Sequence, residues 1–122
     1  MLKYNLKIVF FVNLQRVSQQ KNNKMLKASN LVDNAFLRQY EIKIGPDLAS
    51  IEYSQQERKI FLTKLNIPEN LNSDKFTEQF LKIVLEDISA KNISVVPTSP
   101  PIVKFIKRNR RYKNMLPVGI RI

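Results

Sequence analysis

Ser99 stands among three prolines in VVPTSPPIVKF, and the chain then runs through Lys104, Lys107, Arg108, Arg110, Arg111 and Lys113 without an acidic residue among them. A serine hydroxyl becomes a nucleophile only beside a base that takes its proton. This chain has neither His nor Cys, which removes imidazole acid–base chemistry, thiol nucleophiles, disulfides and zinc sites built on those ligands. Catalysis must therefore use Ser, Thr, Tyr, Lys, a carboxylate or the backbone. A pair of Ser99 with Lys64 or Lys104 is conceivable, but a lysine base needs desolvation, and a formal net charge of +11 gives no reason to expect it. The simpler role for Ser99 is an N-cap. Ser followed by Pro at the first helical position starts a helix, because the hydroxyl accepts a free amide and Pro lacks only a donor the helix does not need.

The elements that hold these residues follow from periodicity. RQYEIKIG alternates Tyr40, Ile42 and Ile44 with polar residues and stops at Gly45-Pro46, the pattern of a half-buried strand. LASIEYS and KIFLTKLNI repeat the signal, so an antiparallel meander of three strands is expected. Pro68 ends it, and PENLNSD supplies turn residues with Asn72 or Ser73 placed to cap a helix from about Asp74. Phe76, Phe80, Val84 and Ile88 recur every fourth residue, with Leu81, Ile83 and Leu85 widening the stripe, so this helix should lie on the sheet. ISVV then reads as a short buried strand stopped by Pro97. A last helix turns Ile102, Val103, Phe105 and Ile106 inward and leaves its cations outward or in its final turns, where they complement the helix dipole. The fold class is α/β (α+β): three strands, helix, strand, helix.

The chain has 122 residues, with 43% hydrophobic and 25% charged residues, which suits one folded domain. The segment MLKYNLKIVFFVNL carries a short apolar run that resembles an export signal, but Asn13 interrupts it and no small-residue cleavage site follows. A cytoplasmic protein without a membrane span is expected. The polar QRVSQQKNNKMLKASN follows, so residues 1–35 read as an extension outside the core and residues 36–122 as the domain. The composition break makes Met25 a candidate natural start, with an early strand plus linker as the alternative.

From about residue 47 to Leu116 the sequence resembles the small, single-domain members of the GNAT-type acyl-CoA N-acyltransferase superfamily. KLNIP (Lys64 to Pro68), NSDKFT (Asn72 to Thr77), PTSPP (Pro97 to Pro101) and NRRY (Asn109 to Tyr112) fall at the spacing of that family's four motif stations. The resemblance implies a GNAT-like fold and acetyl-CoA as co-substrate. It places the coenzyme pyrophosphate on Ser73, Asp74, Lys75, Phe76 and Thr77, at a loop and helix start whose backbone amides favour an anion. Ser73, Lys75 and Thr77 replace the family's glycines; each Cβ hinders close phosphate approach, while a charge and two hydroxyls are gained. Lys64 and Asn66 stand at its His and Glu, and Ser99 at its Cys. Tyr112 keeps the family position, as a proton donor or as an aromatic anchor. Catalytic roles on this resemblance go to Ser99 and Tyr112.

Three functions compete at this stage. The first is an acetyl-CoA-dependent N-acetyltransferase, with an acceptor amine the sequence does not identify. The second is a catalytically degenerate domain of the same fold that binds a partner or metabolite. The third is a non-catalytic basic module that takes nucleic acid or another anionic partner through Lys104, Lys107, Arg108, Arg110, Arg111 and Lys113, driven by phosphate contacts and weakened by salt.

Overall fold

The computed structural model of the chain describes residues 26–122; the Met25 start and the sequence before it lie outside these residues. Five strands form one sheet in the order β1 (Leu31–Asn34), β2 (Gln39–Ile44), β3 (Asp47–Gln56), β4 (Lys59–Asn66) and β5 (Ser94–Pro97). The first four are antiparallel neighbours, and β5 pairs with β4 in parallel. Between these two parallel strands runs α1 (Asp74–Ala90), and β5 is followed by α2 (Pro100–Arg108) and α3 (Arg110–Lys113).

Alternation decides which sheet face is covered. Tyr40, Ile42, Ala49, Ile51, Ile60 and Leu62 are buried together with Phe80, Leu81, Val84, Leu85 and Ile88 of α1 and with Ile102, Phe105 and Ile106 of α2, so both long helices close one core. A helix that repeats large apolar residues every third or fourth position has to bury that stripe, and the sheet face offers the matching apolar set. Ile44, at the end of the alternating run, stays 37% exposed. The opposite face carries Gln39, Glu41, Ser50, Glu52, Lys64 and Asn66, in rows fixed by the strand register.

Two features differ from the sequence expectation. The meander has four strands, because β1 pairs with β2 through Leu31↔Ile42 to Asn34↔Gln39; the sheet thus begins before residue 36, inside the stretch that the sequence assigns to an extension outside the core. The last helix is two helices. At Asn109 the backbone leaves the helical region (φ −121°, ψ 89°), and the Asn109 carboxamide donates to the Phe105 carbonyl at 2.7 Å, a local bond that competes with the helical ladder. The break turns Tyr112 into the core, where it is 3% exposed.

Candidate functional site

The sheet opens between β4 and β5. Their pairing runs from Lys59↔Ser94 to Leu62↔Pro97 and stops. The Leu62 carbonyl accepts both the Thr98 amide, at 3.0 Å, and the Thr98 hydroxyl, at 3.2 Å. Beyond that point β4 continues from Thr63 to Asn66 paired only with β3, so one backbone edge lacks a partner strand among the described residues. A strand edge of this kind presents amides and carbonyls to an extended ligand. Both helix starts lie at the carboxyl ends of these parallel strands, α1 after the turn 67–73 and α2 after Thr98-Ser99. That is where open α/β sheets bind their ligands.

A bulge sets the chemistry of the open edge. On β3, Glu52 faces Lys64 and Tyr53 faces Leu62, so Thr63 is the extra residue on β4. Its hydroxyl donates to the Glu52 carbonyl at 3.1 Å. The bulge shifts the alternation by one: Leu62 and Leu65 point to the core side, while Lys64 and Asn66 reach the open face. There the Asn66 carboxamide donates to Glu52 Oε2 at 2.9 Å and to Ser50 Oγ at 3.2 Å.

At the start of α1, Ser73 is the N-cap and its Oγ accepts the Phe76 amide at 3.1 Å. The Thr77 amide donates to the Ser73 carbonyl at 3.0 Å. The amides of Asp74 and Lys75, at the first two helical positions, have no intrahelical acceptor. Ser73, Asp74 and Lys75 are exposed, whereas Phe76 packs against the core with its ring 6.1 Å from that of Phe80. An anion can thus meet the side chains of Ser73 and Lys75 and two backbone amides, with the Asp74 carboxylate as an opposing charge.

Ser99 occupies the N-cap position of α2 but does not cap it: its side chain accepts no amide. The reason is local. Pro100 and Pro101 lack N–H groups, and the next amides, of Ile102 and Val103, both donate to the Ser99 carbonyl at 3.0 Å. The Ser99 side chain is left 7% exposed and without a hydrogen-bond partner among the described residues.

Tyr112 lies past the helix break, on α3, with the nine residues of α2 between it and Ser99 in the chain. Its hydroxyl donates to Glu86 Oε2 at 3.1 Å, its ring stacks on Phe105 at 5.8 Å, and Arg111 lies over it at 5.1 Å. Burial, then the hydrogen bond to Glu86, pushes its pKa up. These contacts are those of an aromatic anchor joining α3 to α1. Within the basic run, Arg108 pairs with Glu78 at 3.3 Å and Arg111 with Glu86 at 2.7 Å. Lys104, Lys107, Arg110 and Lys113 are exposed.

A second polar cluster joins the other end of α1 to the sheet. Tyr40 donates to Asp87 at 2.9 Å, and Tyr53 donates to Asp33 at 2.6 Å. Lys91 reaches Asp33 at 3.1 Å, Asp87 at 3.0 Å and the Tyr40 hydroxyl at 3.2 Å. Burial alone would lower the Lys91 pKa; hydrogen bonds to Asp87, Tyr40 and Asp33 outweigh it and hold the ammonium above the ordinary lysine value. Asp87 lies thirteen residues past Asp74, about 20 Å along α1, so this cluster braces the fold far from the open edge. An open concavity of about 390 Å³ lined by Arg38, Tyr53 and Gln55 also lies toward the β3–β4 turn, away from the splayed end.

Glu52 is the residue that sequence reasoning overlooked. In IEYS the alternation with buried Ile51 already turns it outward, but its place beside Asn66 depends on the bulge, which strand periodicity does not reveal.

A meander that passes into a parallel strand, splays beside it and sets helix starts at both strand ends defines a GNAT-type α/β domain. The sequence profile of the GCN5-related N-acetyl-transferase family matches residues 39–115, from the first residue of β2 to just beyond α3. The chain belongs to that family. The match extends the resemblance upstream to include β2. No curated protein matches the chain. No helix among the described residues is long and apolar enough to cross a membrane.

Proposed function

We propose that the protein transfers an acetyl group from acetyl-CoA to an amine. The observation that carries this reading is the β4 edge from Thr63 to Asn66, without a partner strand among the described residues and opened where Leu62 and Pro97 make the last rung, in a chain of an N-acetyltransferase family. Such an edge can hold the amide-rich arm of the coenzyme by strand-like hydrogen bonds, and a backbone amide there can polarise the thioester carbonyl. The start of α1 would take the pyrophosphate through the Asp74 and Lys75 amides, with the Lys75 ammonium and the Ser73 and Thr77 hydroxyls in the same turn. Ser99 would stand beside the acyl group. Its unpartnered hydroxyl can donate to the departing thiolate, a role that needs no base, unlike nucleophilic attack. Tyr112 supports the fold in this reading.

Ligand that binds the native state raises the melting temperature. Millimolar acetyl-CoA is expected to do so, and Lys75→Glu is expected to reduce the shift. An unchanged melting temperature at millimolar acetyl-CoA overturns the reading.

A second reading, binding of nucleic acid or another polyanion, is favoured by Lys104, Lys107, Arg110 and Lys113, which are exposed and have no carboxylate partner among the described residues. It predicts a mobility shift of generic duplex DNA at low salt that fades steeply as salt rises. Free DNA at low salt excludes it.

A further inference from the structure

We propose that Glu52 is the general base that takes the proton from the acceptor amine. This rests on the acetyl-transfer reading above and names the group that this reading leaves open. An alkylamine is an ammonium ion near neutral pH and must lose a proton to attack a carbonyl carbon. The chain has no His, and Lys64, which faces Glu52 across the β3–β4 ladder, is itself a cation.

Three observations converge on Glu52. The first is its level in the sheet. It faces Lys64, two residues beyond the Leu62↔Pro97 rung, on the stretch of β4 that β5 has left. The second is its setting. It lies on the sheet face opposite the two long helices, so an amine can approach from there while the coenzyme lies along the strand edge. The third is its partner. The chain has 21 Lys and Arg against 10 Asp and Glu, and Asp33, Asp87, Glu78 and Glu86 all meet cations. Glu52 instead accepts from a neutral carboxamide, that of Asn66 at 2.9 Å, and no ion pair joins it to Lys64 within the described residues. A hydrogen bond of this kind orients a carboxylate without neutralising it, and the Thr63 hydroxyl on the Glu52 carbonyl fixes the backbone beneath it. The titratable groups facing Glu52 are Lys64 from β4 and, diagonally, Glu41 from β2.

In the step, the ammonium N–H proton passes to the Glu52 carboxylate. The freed nitrogen lone pair forms the C–N bond as the thioester C–S bond breaks, and the nitrogen, positive again once bonded to carbon, gives its second proton to solvent to leave the neutral amide. The sulfur leaves with the bonding pair as the coenzyme thiolate, and the Glu52 proton passes to solvent or to that thiolate. No oxidant or reductant takes part.

The test uses the full chain with acetyl-CoA and two probe amines, spermidine, protonated near pH 7, and an arylamine, already neutral there, with acetylated product read by mass spectrometry. Glu52→Gln keeps an oxygen that can accept from Asn66. Its expected effect is a loss of about a hundredfold or more in kcat/KM for spermidine at pH 7, shrinking as pH approaches the amine pKa, and a much smaller loss for the arylamine. Glu52→Asp should recover part of the rate. The melting shift with acetyl-CoA should match the wild type. An active wild type whose Glu52→Gln form turns over equally, or loses both amines alike at every pH, overturns the role of Glu52 and leaves acetyl transfer standing. A wild type that acetylates neither amine and whose melting temperature is unchanged by acetyl-CoA overturns both.

Discussion

Leu62 and Lys64 stand two residues apart on β4 and face opposite sides of the sheet, Leu62 fully buried among the core side chains and Lys64 exposed on the other face. In a regular strand such a pair shares one face. Thr63 reverses the alternation as the extra residue of the bulge, and it does so beside the point where β5 departs. One inserted position therefore brings Leu65 to the core side and sets Lys64, Asn66 and Glu52 around the open edge.

Deletion of Thr63 should accordingly close the bulge without reversing the face of any neighbouring side chain. With the extra residue gone, Lys64 follows Leu62 directly, so regular alternation keeps Lys64 and Asn66 on the open face and Leu65 on the core side. We expect the deletion variant to keep cooperative urea unfolding. Thr63→Val loses only the exposed hydroxyl bond to the Glu52 carbonyl, a cost of about 1 kcal/mol or less. A deletion variant that loses cooperative unfolding would refute the role of Thr63 as the extra residue.

How much of this was legible in the sequence depends on the range of the interactions involved. The three strands from Gln39 onward, α1 from Asp74 and the short strand before Pro97 appear where periodicity and the Ser and Pro signals put them, because those are local properties. β1 was missed since four residues, LVDN, carry no alternation of their own and form a strand only by pairing with β2. The break at Asn109 depends on one side chain choosing the Phe105 carbonyl. Ser99 sits at the helix start as its neighbours suggest, yet its hydroxyl caps nothing, because Pro101 has no N–H and that of Ile102 goes to the Ser99 carbonyl. At the site, the stations at Asn72–Thr77 and Pro97–Pro101 were readable as contiguous motifs. Glu52, as the proposed base, was not, since only cross-strand register brings it to the open edge.

Lys91→Met should weaken the attachment of α1 to the sheet. The substitution keeps the aliphatic stem and removes the charge that holds Asp33, Asp87 and the Tyr40 hydroxyl together. These side chains are about a third or more exposed, so solvent screens the pairs, and a loss of about 1 kcal/mol is expected. For a domain of this size that is a fall of several degrees in melting temperature, smaller in high salt. A rise in melting temperature would show that the cluster destabilises the fold.

Alkaline pH should unfold the protein through its tyrosines. Burial is the largest cause that pushes the Tyr40, Tyr53 and Tyr112 hydroxyls above their ordinary value, reinforced at Tyr53 and Tyr112 by donation to Asp33 and Glu86; Tyr53 is raised to about 12. An unfolded tyrosine titrates near 10. Above that pH the unfolded chain loses these protons first, so the stabilisation present below about pH 10 disappears as pH climbs toward the folded-state values. Urea midpoints should therefore hold steady to about pH 9 and fall from 10 to 12. Tyr40→Phe should make the fall shallower at some cost in stability near neutral pH, since Asp87 loses a donor. A midpoint unchanged from pH 9 to 12 contradicts the argument.

Ser73 and Ser99 both precede a helix, and the structure predicts opposite responses to removal of their hydroxyls. Ser73 Oγ accepts the Phe76 amide, so Ser73→Ala leaves that amide to water and should cost about 1 kcal/mol. Ser99 Oγ accepts no amide, so Ser99→Ala gives up no capping bond and exchanges a buried hydroxyl for a methyl hydrogen; its stability should stay within about 0.5 kcal/mol of wild type or rise slightly. The two variants also separate in function. Loss of the Ser73 hydroxyl should reduce the melting shift produced by acetyl-CoA, through the start of α1. Loss of the Ser99 hydroxyl should leave that shift in place and lower kcat, because a donor to the departing thiolate acts only as the C–S bond breaks. Urea unfolding of both variants checks the first contrast, and steady-state kinetics with spermidine checks the second. A Ser99→Ala variant that is destabilised as much as Ser73→Ala would restore Ser99 to the role of a cap. One with wild-type stability and wild-type kcat would show that its buried hydroxyl takes no part in transfer.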